Sequence, residues 1–327
     1  MSIKKKIIIT ILSIFLISSA FTGCKELVLE PPIIGVSTSD TIGMTEKIVN
    51  DITAMAKEDG YSLTVSNASG NYNAQTSQIT ALIAEGVNVL AICPVNEAKL
   101  AASLEAAAAA EIPVIIFERP LENSTGIAST IGYDATGEGK AAAQAIAEND
   151  NGKSNVVIEI VGPEDNPNAV AASKGFHEVI DLVDNITVVK VYSEWSPNLT
   201  VSGLTSVLTR YPDASAIYNS NSTLDTSISE VLDTFGLNEK TDAAGHIYRV
   251  SVSGSKNGYT SAVEGYVDVL IVTQVDDLSA ALYDALVTLG SGKTPEETEF
   301  TASYKAIPQA SVQSSQASIW GFVFNIE

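Results

Sequence analysis

The side chains best suited to chemistry in this chain are polar or aromatic and follow short apolar runs. Glu118 and Arg119, for example, come directly after the apolar run of residues 112–117 and are followed by Pro120. One such pair on its own is typical of a solvated turn. The pattern recurs, however, and in open α/β sheets the carboxyl ends of neighbouring strands meet at one edge, where small ligands bind. The ligand-binding residues predicted on this basis are Ser37, Asp40, Asn96, Glu118, Arg119, Tyr133, Asn168, Trp195, Asn221, Ser253 and Gln274.

This set of side chains fits a neutral sugar or polyol. Hydroxyl, amide and charged groups exchange hydrogen bonds with ligand hydroxyls, and an aromatic ring covers the C–H face of a sugar ring. Trp195 stands between Glu194 and Ser196 at the end of a predicted strand. Such a position is poorly placed for a core residue, so stacking on a ligand is favoured over packing at the surface.

Residues for catalysis or metal binding are scarce. The two histidines, His177 and His246, fall in a predicted helix and at the start of a predicted strand, where structural roles are typical. Glu118 and Glu164 are carboxylates of the type that glycosidases use, but nothing singles them out among 39 acidic residues. The sequence contains no nucleophile elbow, dinucleotide fingerprint, phosphate loop or zinc-binding helix motif. We therefore expect no enzyme activity, no cofactor and no metal site.

The N-terminus has the features of a bacterial export signal. Residues 4–6 are all lysine, residues 7–21 are apolar or hydroxylic, and the segment closes with Phe21-Thr22-Gly23-Cys24. This closing motif resembles the lipobox of bacterial lipoproteins, in which lipid is attached to the cysteine. The apolar run is shorter than the ~20 residues of a membrane span, which disfavours an uncleaved anchor. We expect residues 1–24 to be a lipoprotein signal peptide with lipidated Cys24, and residues 25–32 to be a tether.

Charge and cysteine content narrow the range of partners. The formal net charge is −21, and so acidic a chain is unsuited to binding nucleic acid or an anionic membrane surface. With Cys24 assigned to lipid, Cys93 is left alone in an apolar run, where an inert buried thiol is typical. No disulfide is therefore expected.

Short apolar strands alternate with amphipathic helices over most of the chain. Predicted strands include residues 33–36, 87–93, 155–161 and 267–273. This alternation predicts parallel sheets joined by right-handed crossovers. One sheet of about ten strands would be unusually wide, and no Pro/Gly-rich linker divides the chain. The predicted fold class is therefore α/β, with two doubly wound parallel-sheet lobes joined by a multi-strand hinge.

Each lobe is expected to combine separate parts of the chain. The N-terminal lobe is predicted to contain residues 33–133 plus 275–303, and the C-terminal lobe residues 134–274 plus 304–327. Residues 299–327 lack helical periodicity and are predicted to be returning strands. A cleft between two hinged lobes is the natural place for a small ligand.

From Ile33 to about Pro308 the chain resembles the periplasmic sugar-binding proteins of the ribose and galactose/glucose-binding type, and through them the ligand cores of LacI-like repressors. The order and spacing of several stretches carry this resemblance. They are Val89–Pro94, Ile112–Pro120, Ile131–Asp134, Lys174-Gly175-Phe176, Ala216–Asn221 and Thr273-Gln274. The resemblance implies the type I periplasmic binding protein fold.

The resemblance also implies roles for individual residues. Glu118 stands where the family has Asp or Asn, and Arg119 where it has Arg or Lys. Trp195 falls on the stacking tryptophan of the glucose binders, Asn221 on an asparagine after a strand, and Gln274 on a Gln or Asn at a hinge.

Two positions depart from the family pattern, and the loop of residues 37–44 also lacks the aromatic residues that usually line the N-terminal lobe's side of the site. Ala172 falls where an arginine usually clamps sugar hydroxyls, and Ser253 replaces an expected aspartate. An arginine–carboxylate clamp is a large part of polyol recognition. These departures leave the identity of the ligand open, including a less polar one.

The sequence thus predicts a monomeric extracytoplasmic lipoprotein that captures a sugar or related small polar ligand for an ABC importer. Two alternatives remain open: a ligand-sensing co-receptor for a membrane histidine kinase, and a secreted glycosidase-like enzyme. A LacI-like repressor is excluded by the export signal and by the lack of a basic helix-turn-helix.

Overall fold

The structure, a computed structural model, describes residues 31–123, 125–149 and 155–323. The predicted signal peptide with Cys24 and residues 25–30 of the predicted tether lie outside this range. No helix within the described ranges has both the length and the apolar character needed to cross a membrane.

The first lobe is built on a six-stranded parallel sheet with the strand order β11-β5-β4-β3-β1-β2. Its strands are β1 (Ile33–Thr38), β2 (Ser62–Asn67), β3 (Val89–Ile92), β4 (Val114–Phe117), β5 (Ser129–Tyr133) and β11 (Glu299–Ala302). Its helices are α1 (Gly43–Asp59), α2 (Tyr72–Ala84), α3 (Ala101–Ala109) and α9 (Val275–Gly290).

The second lobe is built on another six-stranded sheet, with the order β12-β10-β9-β8-β6-β7. Its strands are β6 (Asn155–Val161), β7 (Ile186–Tyr192), β8 (Ala216–Asn219), β9 (Tyr248–Ser253), β10 (Val269–Thr273) and β12 (Tyr304–Pro308). All neighbours are parallel except β12, which runs antiparallel to β10. The helices are α4 (Ala135–Glu148), α5 (Pro167–Ile180), α6 (Pro197–Arg210), α7 (Asp225–Phe235), α8 (Lys256–Val263) and α10 (Trp320–Val323).

Helices cover both faces of each sheet, and the side chains of β3 show why. Val89 and Ala91 pack into a core formed with α1 and α9, whereas Leu90 and Ile92 pack into a second core with α2 and α3. Successive side chains of a strand point to opposite faces, so a strand buried on both faces must be apolar throughout. This is why β3 and β4 are continuous apolar runs rather than alternating ones.

Three chain crossovers join the lobes side by side. They run from β5 into α4 at Asp134, from β10 into α9 at Gln274, and from β11 into β12 at Ser303. The backbone N–H of Asp134 donates to the carbonyl of Ala302 at 3.3 Å, and that of Gln274 to the carbonyl of Ser303 at 2.9 Å. These bonds tie the third crossover to the other two. The predicted fold class, two parallel-sheet α/β lobes with a multi-strand hinge, is confirmed.

Residues 299–323 only partly follow the prediction of returning strands. Residues 299–302 and 304–308 are strands, but short 3₁₀ turns follow at Gln309–Ser311 and Gln316–Ser318, and then the short helix α10. The last hydrogen bond to the neighbouring chain is made by the N–H of Gln309, which donates to the carbonyl of Asp268 at 2.7 Å. The hydroxyls of Ser314 and Ser318 donate to backbone carbonyls three residues earlier, which favours turns over a strand.

Helices α4 and α5 cross closely because each carries a glycine at the contact. A Cβ on Gly139 would overlap the carbonyl oxygen of Ala172, and a Cβ on Gly175 would overlap that of Thr136. Ala172 is therefore buried in a helix–helix contact and lies outside the cleft. Only small residues allow backbones to approach this closely.

We expect Gly139→Ala to lower the free energy of unfolding by about 1–3 kcal/mol, since overpacking outweighs the better helix propensity of alanine. Gly132→Ala is the matched control, because a Cβ there meets nothing within 4 Å. That change should stay within about 0.5 kcal/mol of the wild-type protein. Urea denaturation measures both, and equal stability of the two variants would contradict the close helix crossing.

Candidate ligand-binding site

A cavity of about 410 Å³ lies between the two lobes, beside the hinge. It is lined from the first lobe by Asp40, Ile42, Gly43, Met44, Thr45, Glu118, Arg119 and Tyr133, and at the hinge by Glu138 and Thr273. The second lobe contributes Asn166, Trp195, Pro197, Ser220, Asn221, Thr223, Val252, Ser253 and Trp320. A cavity of similar volume, about 430 Å³ and lined by Ala281 and Thr288 among others, contains none of the predicted residues.

Charged side chains of the first lobe meet at the end of β4. Glu118 is 8% exposed, and its carboxylate accepts a hydrogen bond of 2.6 Å from the Thr45 hydroxyl. Burial raises the pKa of Glu118, although Arg119 and Thr45 stabilise the anion. Arg119 donates from Nη2 to Asp40 at 3.3 Å, whereas its buried Nε has no hydrogen-bond partner among the described residues. Glu118 and Arg119 both line the cavity, so a carboxyl group and the accessible part of a guanidinium face a ligand there.

Trp195 forms an aromatic wall on the second lobe. Glu194 and Trp195 both have positive φ, 49° and 52°, a backbone conformation that L-residues rarely adopt and that clusters at ligand sites. The turn is fixed by Ser193, whose hydroxyl accepts from the Trp195 N–H, and by a bond of 3.1 Å from the indole N–H to Ser220. The ring lies against Gly162, where a Cβ would overlap it. Trp195 is therefore held rigidly at the cavity.

Two asparagines of the second lobe present amide donors. The side-chain oxygen of Asn166 accepts from the first N–H groups of α5, and that of Asn221 accepts from Thr223. With the oxygens used in this way, the Nδ2 atoms make no hydrogen bond to another described residue. Both amides are available to ligand oxygens in the cavity.

The hinge side of the cavity carries a buried carboxyl group. Glu138 lies in the first turn of α4, is 3% exposed, and accepts a hydrogen bond of 2.6 Å from Thr273 at the end of β10. Burial raises the pKa of Glu138 to about 8, with Asp134 adding to the effect and Thr273 opposing it. Glu138 is therefore mainly protonated at neutral pH and joins two of the three crossovers.

A direct bond also connects the lobes across the cleft. The side-chain amide of Asn168, in the first turn of α5, donates to the backbone carbonyl of Glu118 at 2.9 Å. Asn168 is 5% exposed, so the bond is shielded from water. Separation of the lobes must break it.

Seven of the eleven predicted residues line the cavity: Asp40, Glu118, Arg119, Tyr133, Trp195, Asn221 and Ser253. Asn96 lines a smaller adjoining cavity of about 110 Å³, together with Arg119 and Trp195. Asn168 bridges the lobes instead of lining the cavity.

Ser37 and Gln274 do not line the cavity. Ser37 is fully buried inside β1, because that strand continues to Thr38. Gln274 precedes α9, and its amide donates to the carbonyl of Val272 at 3.1 Å. Glu164, the second carboxylate considered for glycosidase chemistry, is exposed and lies outside the cavity.

Several lining residues were not predicted from the sequence. They are Ile42, Gly43, Met44, Thr45, Glu138, Asn166, Pro197, Ser220, Thr223, Val252, Thr273 and Trp320. Residues 42–45 come shortly after the end of β1, so the rule that strand ends carry ligand-binding residues could have identified them. Glu138 lies in the first turn of α4, which begins at Ala135, and does not directly follow a strand. Nothing in the sequence indicated that Trp320 lies at the cavity, because residues 299–327 were predicted to be strands.

The described part of the chain has no group of three or more His, Cys, Asp or Glu residues placed to hold a metal ion. Cys93 is a buried free thiol near Glu118, and burial raises its pKa. A thiol of this kind is a poor nucleophile. The site is therefore suited to binding by hydrogen bonds and aromatic contact.

Comparison with known proteins identifies the family. Residues 34–294 match the family model of the periplasmic binding protein domain. The chain belongs to this family. The match confirms the resemblance that the sequence motifs indicated.

Periplasmic binding proteins similar to this chain include the ribose import binding protein RbsB of Bacillus subtilis, 23% identical over 306 residues, which cover 89% of this chain and 94% of that one. A solved galactofuranose binding protein superposes with a TM-score of 0.81 at 19% identity, covering 90% of this chain and all of its own. The fructose-binding periplasmic domain of the hybrid two-component system BT1754 has a TM-score of 0.77 at 20% identity, covering 87% and 93%. These structures share the fold.

We expect Glu138→Gln to change how stability depends on pH. The folded protein keeps the Glu138 proton up to about pH 8, whereas the unfolded chain loses it near the ordinary value of 4.5. Stability from this group is therefore complete at low pH and is lost as pH rises through that window, by up to about 1.4 kcal/mol per pH unit. Glutamine stays neutral, so the variant should gain stability relative to wild type between pH 5 and 8, roughly the same window.

Urea denaturation at several pH values measures this difference. The matched control is Glu178→Gln, an exposed acid of the neighbouring helix α5 that pairs with Lys140. Parallel pH profiles for wild type and Glu138→Gln would contradict the assignment of a protonated carboxyl at the hinge.

Proposed function

We propose that this protein is an extracytoplasmic solute-binding protein that captures a sugar or related small polar ligand between its lobes for an ABC importer. The observation that carries the proposal is the interlobe cavity, with hydrogen-bonding charges on one lobe and Trp195 on the other. Relatives named for the import of ribose and D-apiose, and one named for xylitol binding, support a sugar or polyol. The protein acts as a monomer and performs no reaction on its ligand.

Transport follows from how a ligand changes the balance of open and closed forms. A sugar that touches Glu118 and Arg119 on one lobe and Trp195 on the other makes its full set of contacts only when the lobes are together. Only such differential binding shifts a conformational equilibrium. The Asn168 bond to the Glu118 carbonyl contributes to the closed form with or without ligand. A permease can then recognise the loaded protein by its closed shape.

A second candidate function is ligand sensing through a membrane histidine kinase. It is favoured by the similarity to the fructose-binding domain of a hybrid two-component system. The two functions differ in the fate of the ligand. Sugar uptake by cells lacking the gene distinguishes them, since an importer component is needed for uptake and a sensor only for the induced response.

We also propose that residues 1–24 direct export and that Cys24 carries the lipid anchor. Metabolic labelling with a fatty acid tests this directly, with Cys24→Ala as the comparison. Label on the wild-type protein and none on the variant is the expected result. Equal labelling of both would contradict lipidation at Cys24.

We expect Trp195→Ala to weaken sugar binding at least about tenfold while the protein stays folded, because the aromatic face and its buried contact area are lost. Isothermal titration calorimetry against D-ribose, D-apiose, D-galactose, D-fructose, xylitol and myo-inositol measures the affinity. Tyr192→Ala is the control, because Tyr192 ends β7, the strand that precedes the turn with Trp195. Tyr192 is 58% exposed and does not line the cavity. Unchanged affinity of Trp195→Ala would remove this residue from the site.

Two further results would contradict the proposed function itself. One is the absence of binding to every sugar and polyol in this panel. The other is chemical conversion of a bound sugar on long incubation, which would indicate an enzyme such as a glycosidase.

A further inference from the structure

The C-terminal segment reaches the same cavity as the strand-end residues. The chain contains two tryptophans, and both of them, Trp195 and Trp320, line the interlobe cavity. Trp195 comes from the turn after β7, whereas Trp320 begins α10, after the chain has left the second sheet at Pro308. The site therefore draws on a segment outside the alternating strand–helix pattern.

This segment is anchored on the loop between β9 and α8 by close backbone contact. The N–H of Gly321 donates to the carbonyl of Gly254 at 3.0 Å. A Cβ on Gly321 would overlap the backbone of Ser255 and Lys256, so only glycine permits the approach. The rings of Phe322 and Tyr259 lie 5.0 Å apart, which adds an aromatic contact to the same interface. The segment is a packed part of the second lobe.

Trp320 itself is held in a fixed orientation. It is 3% exposed and packs in the core that also contains Ile319 and Val312. Its indole N–H donates to the carbonyl oxygen of Ser253, a residue that lines the cavity. Trp320, Val252 and Ser253 line the same interlobe cavity.

The hydrogen bond falls on an unusual turn. Ser253 has φ of +95° and Gly254 has φ of +84°. A non-glycine residue at such a φ is strained and persists only where its surroundings hold it. The Trp320 indole donates to the Ser253 carbonyl, so it helps to hold the strained backbone from which the Ser253 side chain projects.

We propose that Trp320 is a specificity-determining residue of the sugar site, forming a second aromatic wall and positioning Ser253 for the ligand. The inference rests on the proposed function. A site with two indoles, Met44 and Ile42 favours ligands that have an extended C–H face over ligands that are hydroxylated on every side.

The two tryptophans provide a direct optical test, because replacing either one leaves a single tryptophan whose emission can be followed. In Trp195→Phe, the remaining emission comes from Trp320 alone. Calorimetry on the wild-type protein first identifies which sugar of the panel binds. That sugar, at saturating concentration, should shift the emission of Trp320 in Trp195→Phe and reduce its quenching by acrylamide.

Affinity provides a second readout that depends on Trp320 itself. We expect Trp320→Ala to weaken binding of the same sugar at least about tenfold, and Trp320→Phe, which keeps a ring but lacks the N–H, to weaken it about threefold. Phe322→Ala is the matched control, since Phe322 lies on the same short helix, is 41% exposed and does not line the cavity. Its affinity should equal that of wild type.

The outcomes separate this inference from the proposed function. If wild type binds no sugar, the proposed function fails and this inference fails with it. If wild type binds a sugar but Trp320 emission and the affinity of Trp320→Phe are unchanged, only this inference is overturned. Should Trp320→Ala unfold, the emission of Trp195→Phe and the affinity of Trp320→Phe still decide the question.

Discussion

The site depends on three crossovers being held next to one another. Backbone bonds from Asp134 and Gln274 to the β11–β12 connection tie them together, and the buried bond between Thr273 and Glu138 adds a side-chain link. The strands β5, β10 and β11 lead into the hinge at their carboxyl ends. The polar residues that follow the strands of both sheets therefore face the same interlobe cavity. A single tether could not fix that geometry, since a flexible linker leaves the lobes free to rotate.

The two lobes contribute different chemistry to that space. The first lobe supplies Arg119 and Asp40, which pair with each other, and Glu118, which accepts a hydrogen bond from Thr45. The second lobe supplies indoles and the amides of Asn166 and Asn221. Burying part of a charged group costs free energy unless the group is hydrogen-bonded. A hydroxylated ligand is therefore bound most strongly when it contacts the charged group and the aromatic wall together. Neither lobe alone offers both.

The sequence predicted those parts of the fold that follow from local pattern. Apolar runs located strands β3 and β4 within one or two residues, and the position after a strand located Glu118, Arg119 and Asn221 correctly at the cavity. The same rule misplaced Ser37, because a strand end cannot be fixed to one residue from hydropathy alone. Gln274 was misplaced for a related reason, as it follows β10 but turns its amide back onto that strand.

Other features depend on contacts between distant parts of the chain. Trp320 reaches the cavity only because Gly321 fits against the backbone of residues 254–256, and neither periodicity nor composition encodes that fit. Glu138 was overlooked because its burial is created by the meeting of α4 with β10. Ala172, expected near the ligand from family resemblance, instead lies in the close crossing of α4 and α5 that Gly139 and Gly175 allow.

The central claim is that one small ligand is held by both lobes at once and draws them together. Spin labels at Tyr72 on the first lobe and Val170 on the second, in a Cys24→Ser background, test it most directly. Both residues are exposed and lie in the first turns of α2 and α5. Saturation with a bound sugar should shorten and narrow the measured distance distribution. Binding detected by calorimetry with an unchanged distribution would contradict the account.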